Sequence, residues 1–115
     1  MTLTKRRQPT VPVALALSVS TNKAATVVTL VGEADISTRA EVVDTLARAI
    51  AEGDGPFVID LAQTKFIDTG IAHVLDRAWQ FLADRDRQLI LRSPSGAVLR
   101  VLDFLNLSRL IEPSA

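Results

Sequence analysis

The residues best placed to do chemistry are Asp68 and Thr69, which stand in Phe66-Ile67-Asp68-Thr69-Gly70-Ile71 between a strand-like run and a strongly apolar helical pattern. A carboxylate just ahead of a helix accepts backbone N–H bonds that the first turn leaves unpaired. A hydroxyl on the next residue lies at the positive end of the helix dipole, where a phosphate is favoured by about 0.3–1 kcal/mol. Two chemistries therefore fit the spacing: Thr69 as a phosphate acceptor, or Asp68 as a plain helix cap with a small neighbour. Asp35, in Gly32-Glu33-Ala34-Asp35-Ile36-Ser37-Thr38, is the second carboxylate of interest. It is either a loop residue that meets a partner or a turn aspartate that bonds its own backbone.

These positions need a scaffold, and the hydrophobic pattern supplies one. Phe57-Val58-Ile59-Asp60-Leu61, preceded by Gly53-Asp54-Gly55-Pro56, reads as a buried strand. Ile71, Val74, Ala78 and Leu82, flanked by Leu75, Trp79 and Phe81, collect on one helical face. Upstream, Leu15, Leu17 and Val19 alternate along a strand at 14–20, Thr21-Asn22-Lys23-Ala24 turns the chain, and the β-branched run at 25–32 returns as a hairpin partner. Thr38 and Glu41 have capping-box spacing, so a helix opens there. It buries Val42, Leu46 and Ile50 with support from Val43 and Ala47, and Gly53 ends it.

Downstream, Asp84-Arg85-Asp86-Arg87 reads as a solvated charged turn and 88–92 as a strand. Ser93-Pro94 supplies a cap and a first-position proline for a helix that carries Val98, Val101, Leu102 and Leu105 up to Asn106. Residues 109–111 form a last short strand. The order predicts an α/β domain: a small mixed sheet with an N-terminal antiparallel hairpin, later strands mostly parallel, and helices packed on the sheet. Strand-to-helix loops of such a sheet gather along its usual ligand edge, which would bring together Asp35, Asp68, Thr69, Ser93 and Ser95.

The 115 residues, 48% of them hydrophobic, make one domain, with 1–12 as a flexible polar tail and 13–115 as the folded unit. Lys plus Arg and Asp plus Glu both total 13, so no net field draws the chain to nucleic acid or to an acidic membrane. The absence of cysteine excludes disulfides and thiolate metal sites, and fits a reducing compartment. The single histidine, His73, falls in the middle of the central helix without a nucleophile beside it. The chain therefore reads as a non-enzyme without cofactor, metal or small-molecule substrate. Lys5-Arg6-Arg7 and the apolar residues after it imitate a secretory signal, but the stretch contains Pro12 and no small-x-small cleavage site follows. It is also shorter than the ~20 apolar residues of a membrane span.

Four blocks carry a family resemblance: the Gly32–Thr38 segment quoted above, Val58-Ile59-Asp60-Leu61, Phe66-Ile67-Asp68-Thr69-Gly70, and Ser93-Pro94-Ser95-Gly96-Ala97-Val98-Leu99-Arg100-Val101-Leu102. In order and spacing they resemble the STAS domain, the fold of bacterial anti-sigma factor antagonists, over roughly 13–111. The resemblance implies a cytoplasmic protein that binds an anti-sigma factor, itself a kinase-fold serine kinase, and so frees a sigma factor for transcription. It implies partner contacts from Asp35, Ser37, Asp68, Thr69, Gly70, Ile71, Ser93 and Ser95. In the family the central motif reads Asp-Ser-Ser-Gly, and phosphorylation of the second serine breaks the complex. Without a gap, Gly70 takes the acceptor position and Ile71 the glycine; with one deletion, Thr69 becomes the acceptor and Gly70 stays glycine. An alternative from another class is a STAS accessory subunit that binds the ATPase of a lipid-transport ABC system. A phosphate-accepting receiver would need an acidic pair after the first strand and a late-strand lysine, and this sequence lacks both.

Overall fold

The structure is a computed structural model, and it describes residues 15–113. The tail expected at 1–12 and the domain start at 13 lie outside the described residues.

The chain runs β1 (Leu15–Thr21), β2 (Thr26–Ala34), α1 (Arg39–Glu52), β3 (Phe57–Asp60), β4 (Thr64–Ile67), α2 (Thr69–Ala83), β5 (Leu89–Arg92), α3 (Gly96–Phe104) and a 3₁₀ turn (Ser108–Leu110). The sheet order is β1-β2-β3-β5, with β4 also paired to β2. β1 and β2 form the expected antiparallel hairpin, and every later pairing is parallel. In the hairpin turn, Asn22 Oδ1 accepts hydrogen bonds from the Ala24 and Ala25 amides, the local closure that makes asparagine a turn former. α1 packs on β1 and β2, α2 lies beside α1 and α3 and packs on β5, and α3 packs on β4.

β2 is the organising strand because it changes partners along its length. Thr26 to Thr29 pair with β3, whereas Gly32, Glu33 and Ala34 pair with β4, with a register shift between Gly32 and Glu33. Gly32 adopts φ 111, a backbone state open to glycine and costly for other residues, and this bulge turns the strand toward its second partner. The Gly32 amide donates to the Gln63 carbonyl, and the buried Thr64 hydroxyl donates to the Leu30 carbonyl at 2.7 Å. β4 is a strand that the sequence pattern does not predict. The hydrophobic pattern gives no element between the strand at 57–61 and the central helix, and the structure places β4 there.

The core is continuous. Val28, Leu30, Phe57, Ile59, Leu61, Ile67, Ile71, Leu75, Leu82, Leu91, Val98, Leu102 and Leu107 are fully buried. Gly53 follows α1 in extended backbone and must be small, because a Cβ there would collide with the Thr26 hydroxyl.

Four local expectations change. α1 turns its buried face to Val42, Thr45, Leu46 and Ala49, leaving Ile50 half-buried and Val43 and Ala47 exposed. α3 starts at Gly96 after Ser95, while Ser93 takes φ 55, a state that cannot cap the helix. The last strand shrinks to one bridge between Leu91 and Ile111 after the 3₁₀ turn. Arg87 is not solvated with its charged neighbours: its Nε donates to the Gly55 carbonyl and its Nη1 to the Ile50 carbonyl, so it closes the C-terminal end of α1.

Candidate functional site

The β2–α1 loop is built around Asp35. Its Oδ1 accepts from the Ser37 amide at 2.9 Å and from the Ser37 hydroxyl at 2.6 Å. Its amide donates to Thr38 Oγ1 at 3.0 Å, and the Thr38 hydroxyl returns a bond to the Asp35 carbonyl at 3.2 Å. Both readings of Asp35 thus begin from one fact: the carboxylate closes its own turn. The Ser37 hydroxyl first, then the Ser37 and Thr38 amides, hold the Asp35 carboxyl below its ordinary value. Thr38 precedes α1 but makes no side-chain cap bond, so the expected box with Glu41 does not form; the hydroxyl is already engaged with Asp35.

The β4–α2 junction is built around Asp68. Its carboxylate accepts from the Ile71 amide at 2.8 Å, which makes it the helix cap that the sequence predicts. Thr69 is the first helical residue and is exposed, Gly70 is second, and Ile71 is third. Ile71 is fully buried, so among the expected partner contacts it offers a backbone N–H to the cap and no side chain to the surface.

One backbone bond joins the two loops: the Asp68 amide donates to the Ala34 carbonyl at 3.2 Å. Arg39, the first residue of α1, reaches the same place, since a Cβ on Gly70 would lie 4.0 Å from its Nη1 and 3.4 Å from Asp68 Oδ1. Arg39 belongs to no hydrophobic pattern or motif, yet a cation at a helix start opposes the macrodipole and is a signal that the residue has another task. Two exposed apolar side chains flank the loops, Ile36 at 81% and Phe66 at 42% exposure.

Ser93 and Ser95 stand apart. The Ser95 hydroxyl donates to the Thr64 carbonyl at 3.2 Å, at the start of β4. Asp68 lies four residues further on, roughly 13 Å along an extended strand. The expected single edge is therefore stepped, because the unpredicted β4 carries the Asp68 loop beyond the level where β5 ends. Ser93 is exposed, and no side-chain hydrogen bond links it to the Asp35 or Asp68 loop.

Among the described residues, no group of three or more His, Asp or Glu side chains is placed to hold a metal ion, and no helix is long and apolar enough to cross a membrane.

Comparison with known proteins agrees with this architecture. The STAS domain family model matches residues 16–115. The fold is similar to that of the anti-sigma factor antagonist SpoIIAA in its unphosphorylated form, at 20% identity over 87% of this chain and 89% of that chain, with a TM-score of 0.76. It is also similar to an anti-sigma factor antagonist from Mycobacterium paratuberculosis, at 19% identity over 87% of this chain and 86% of that chain, with a TM-score of 0.74. The Bacillus cell fate determinant SpoIIAA in its phosphorylated form gives 18% identity over 87% and 92% of the two chains, with a TM-score of 0.68. No curated protein matches the sequence.

Proposed function

The chain belongs to the STAS domain family, and on that premise we propose that it is an anti-sigma factor antagonist. It binds a kinase-fold anti-sigma factor in the cytoplasm and so releases a sigma factor for transcription. The observation that carries the reading is the bond from the Asp68 amide to the Ala34 carbonyl, which fixes two polar loops side by side. Asp35, Ser37, Asp68, Thr69 and Gly70 then form the polar part of the binding surface, and Ile36 and Phe66 are its apolar anchors. A rigid backbone with a few exposed apolar side chains inside a polar rim is what a protein partner recognises.

The carboxylates suit binding better than catalysis. A general acid or base works best with a pKa near the operating pH, whereas Ser37 holds Asp35 below the ordinary carboxylate value and Asp68 is engaged as a cap. Control by phosphate is lost at the motif in this proposal: Gly70, with no hydroxyl, occupies the acceptor position, and Thr69 remains unmodified. The protein then engages its partner constitutively or is controlled elsewhere.

Affinity purification of the intact chain from its native cytoplasm, with identification of stoichiometric partners, tests this. The expected partner is a kinase-fold anti-sigma factor. An ABC-type ATPase in its place would replace the reading with that of a transport accessory subunit.

A further inference from the structure

α1 and α2 do not close on each other along their outer sides. Between them lies a cavity of about 580 Å³, within the size range of small-molecule sites. Its apolar wall is made by Val43, Ala47, Ile50, Val74, Ala78 and Phe81. Its charged side chains are all cations: Arg39, Arg77, Arg85 and Arg87. Val43 and Ala47, which helical period places toward the core, are exposed because they line this cavity.

The four arginines differ in what already holds them. Arg87 bonds the carbonyls of Ile50 and Gly55, while its Nη2 is buried without a hydrogen-bond partner. Arg85 bonds the Phe81 carbonyl and stacks over the Phe81 ring at 3.6 Å. Among the described residues the ion pairs are Arg48 with Asp44 and Arg92 with Glu112, so no carboxylate neutralises any of the four cavity arginines. Arg39 and Arg77 also donate no side-chain hydrogen bond among the described residues, and both stand on the wall of the cavity.

We infer that this cavity binds an amphipathic anion: a hydrocarbon body of fatty-acyl size with a single carboxylate head. The body lies along the groove against Val43, Ala47, Val74, Ala78 and Phe81. The length available from Arg39 to Ile50 is about 16 Å at 1.5 Å per helical residue, which suits an acyl chain of a dozen or so carbons. The head is held by Arg77, whose guanidinium fork matches a carboxylate, and Arg39, with its Nη1 at the Gly70 end of the groove, adds a second positive charge. Charge complementarity selects this occupant. An uncharged lipid would leave the arginines unmatched, and a cationic amphiphile would be repelled. The groove adjoins the proposed partner surface at one end, where Arg39 meets Gly70.

The test is titration of the full chain with dodecanoate, below its micellar concentration, followed by calorimetry and by amide NMR shifts. Saturable 1:1 binding is expected, with shift changes on α1, α2 and Gly70. Dodecanol should bind at least about tenfold more weakly, and Arg77→Gln should erase most of that preference while leaving dodecanol binding unchanged. Ala47→Phe, at an exposed helical position, should fill the groove and abolish binding without lowering Tm. Non-saturating uptake, shifts on another face, or equal affinity for dodecanoate and dodecanol would overturn the inference. So would unchanged dodecanoate affinity in Arg77→Gln, or displacement of dodecanoate only by an acidic amphipathic helix that binds far more tightly.

Discussion

Arg39 faces the α carbon of Gly70: a Cβ added to that glycine would sit 4.0 Å from the arginine Nη1, in ordinary contact distance of Asp68 Oδ1. The first turn of α2 therefore has room for a side chain that the sequence leaves out. Gly70→Ser is expected to fold with unchanged or slightly raised stability, since glycine inside a helix costs roughly 0.5–1 kcal/mol relative to alanine. With the anti-sigma kinase and ATP, the variant should take up one phosphate at residue 70, whereas the parent chain should take up none. The phosphate would bring about −1.5 to −2 charges beside Asp68, with Arg39 as its local counter-charge, so the domain should stay folded while partner affinity falls. Intact-mass and peptide mass spectrometry read the outcome; stoichiometric phosphate on Thr69 of the parent would contradict it.

Asp68 makes the cap bond to the Ile71 amide at 2.8 Å. Asp68→Ala should lose about 1 kcal/mol, a fall in Tm of about 4 °C for a domain of this size. Asp68→Asn keeps a capping oxygen and should recover most of the stability. If Asp68→Ala melts with the parent, the cap does not hold the start of α2.

Much of this fold is legible in the sequence, because the hairpin, the central helix and its aspartate cap are local patterns. β4 is not, since Thr64-Lys65-Phe66-Ile67 has only Thr64 and Ile67 buried and is defined by non-local pairing with the far half of β2. Arg87 escaped for the same reason: four charged residues in a row look solvated until the chain brings the Ile50 and Gly55 carbonyls to one of them. Thr38 shows two local rules competing. Its hydroxyl serves either a box with Glu41 or the Asp35 turn, and the turn takes it. Val43 and Ala47 keep helical period with the core, and only the gap between α1 and α2 exposes them.

The Asp35 turn should respond to acid. The Ser37 hydroxyl and amide bond the charged carboxylate and lower its pKa in the folded state from the ordinary 3.8. Its stabilising contribution is therefore present above that value and is lost as pH falls through the lower folded one. The Ser37 amide shift should titrate with a midpoint below 3.8, and Ser37→Ala should move the Asp35 midpoint back upward. A Ser37 midpoint at or above the ordinary value would show that the turn is not held by this bond.

Val58 and Leu75 test the core itself, being 3% and 0% exposed. Val58→Asp or Leu75→Asp places an unpaired charge where it costs several kcal/mol, enough to remove the marginal stability of a small domain. Neither variant should give a cooperative melting transition, and a cooperative one in either would move that residue out of the core.

Release of a sigma factor through the joined Asp35 and Asp68 loops is the step on which the proposed function stands or falls. The most direct measurement titrates the intact chain into a purified complex of sigma factor with the anti-sigma factor recovered by affinity purification, with ATP present, and follows free sigma factor. Stoichiometric release that persists as ATP is consumed, and that is lost with Phe66→Asp, is the expected result. No release at any ratio, or release reversed by phosphate appearing on Thr69, would contradict it.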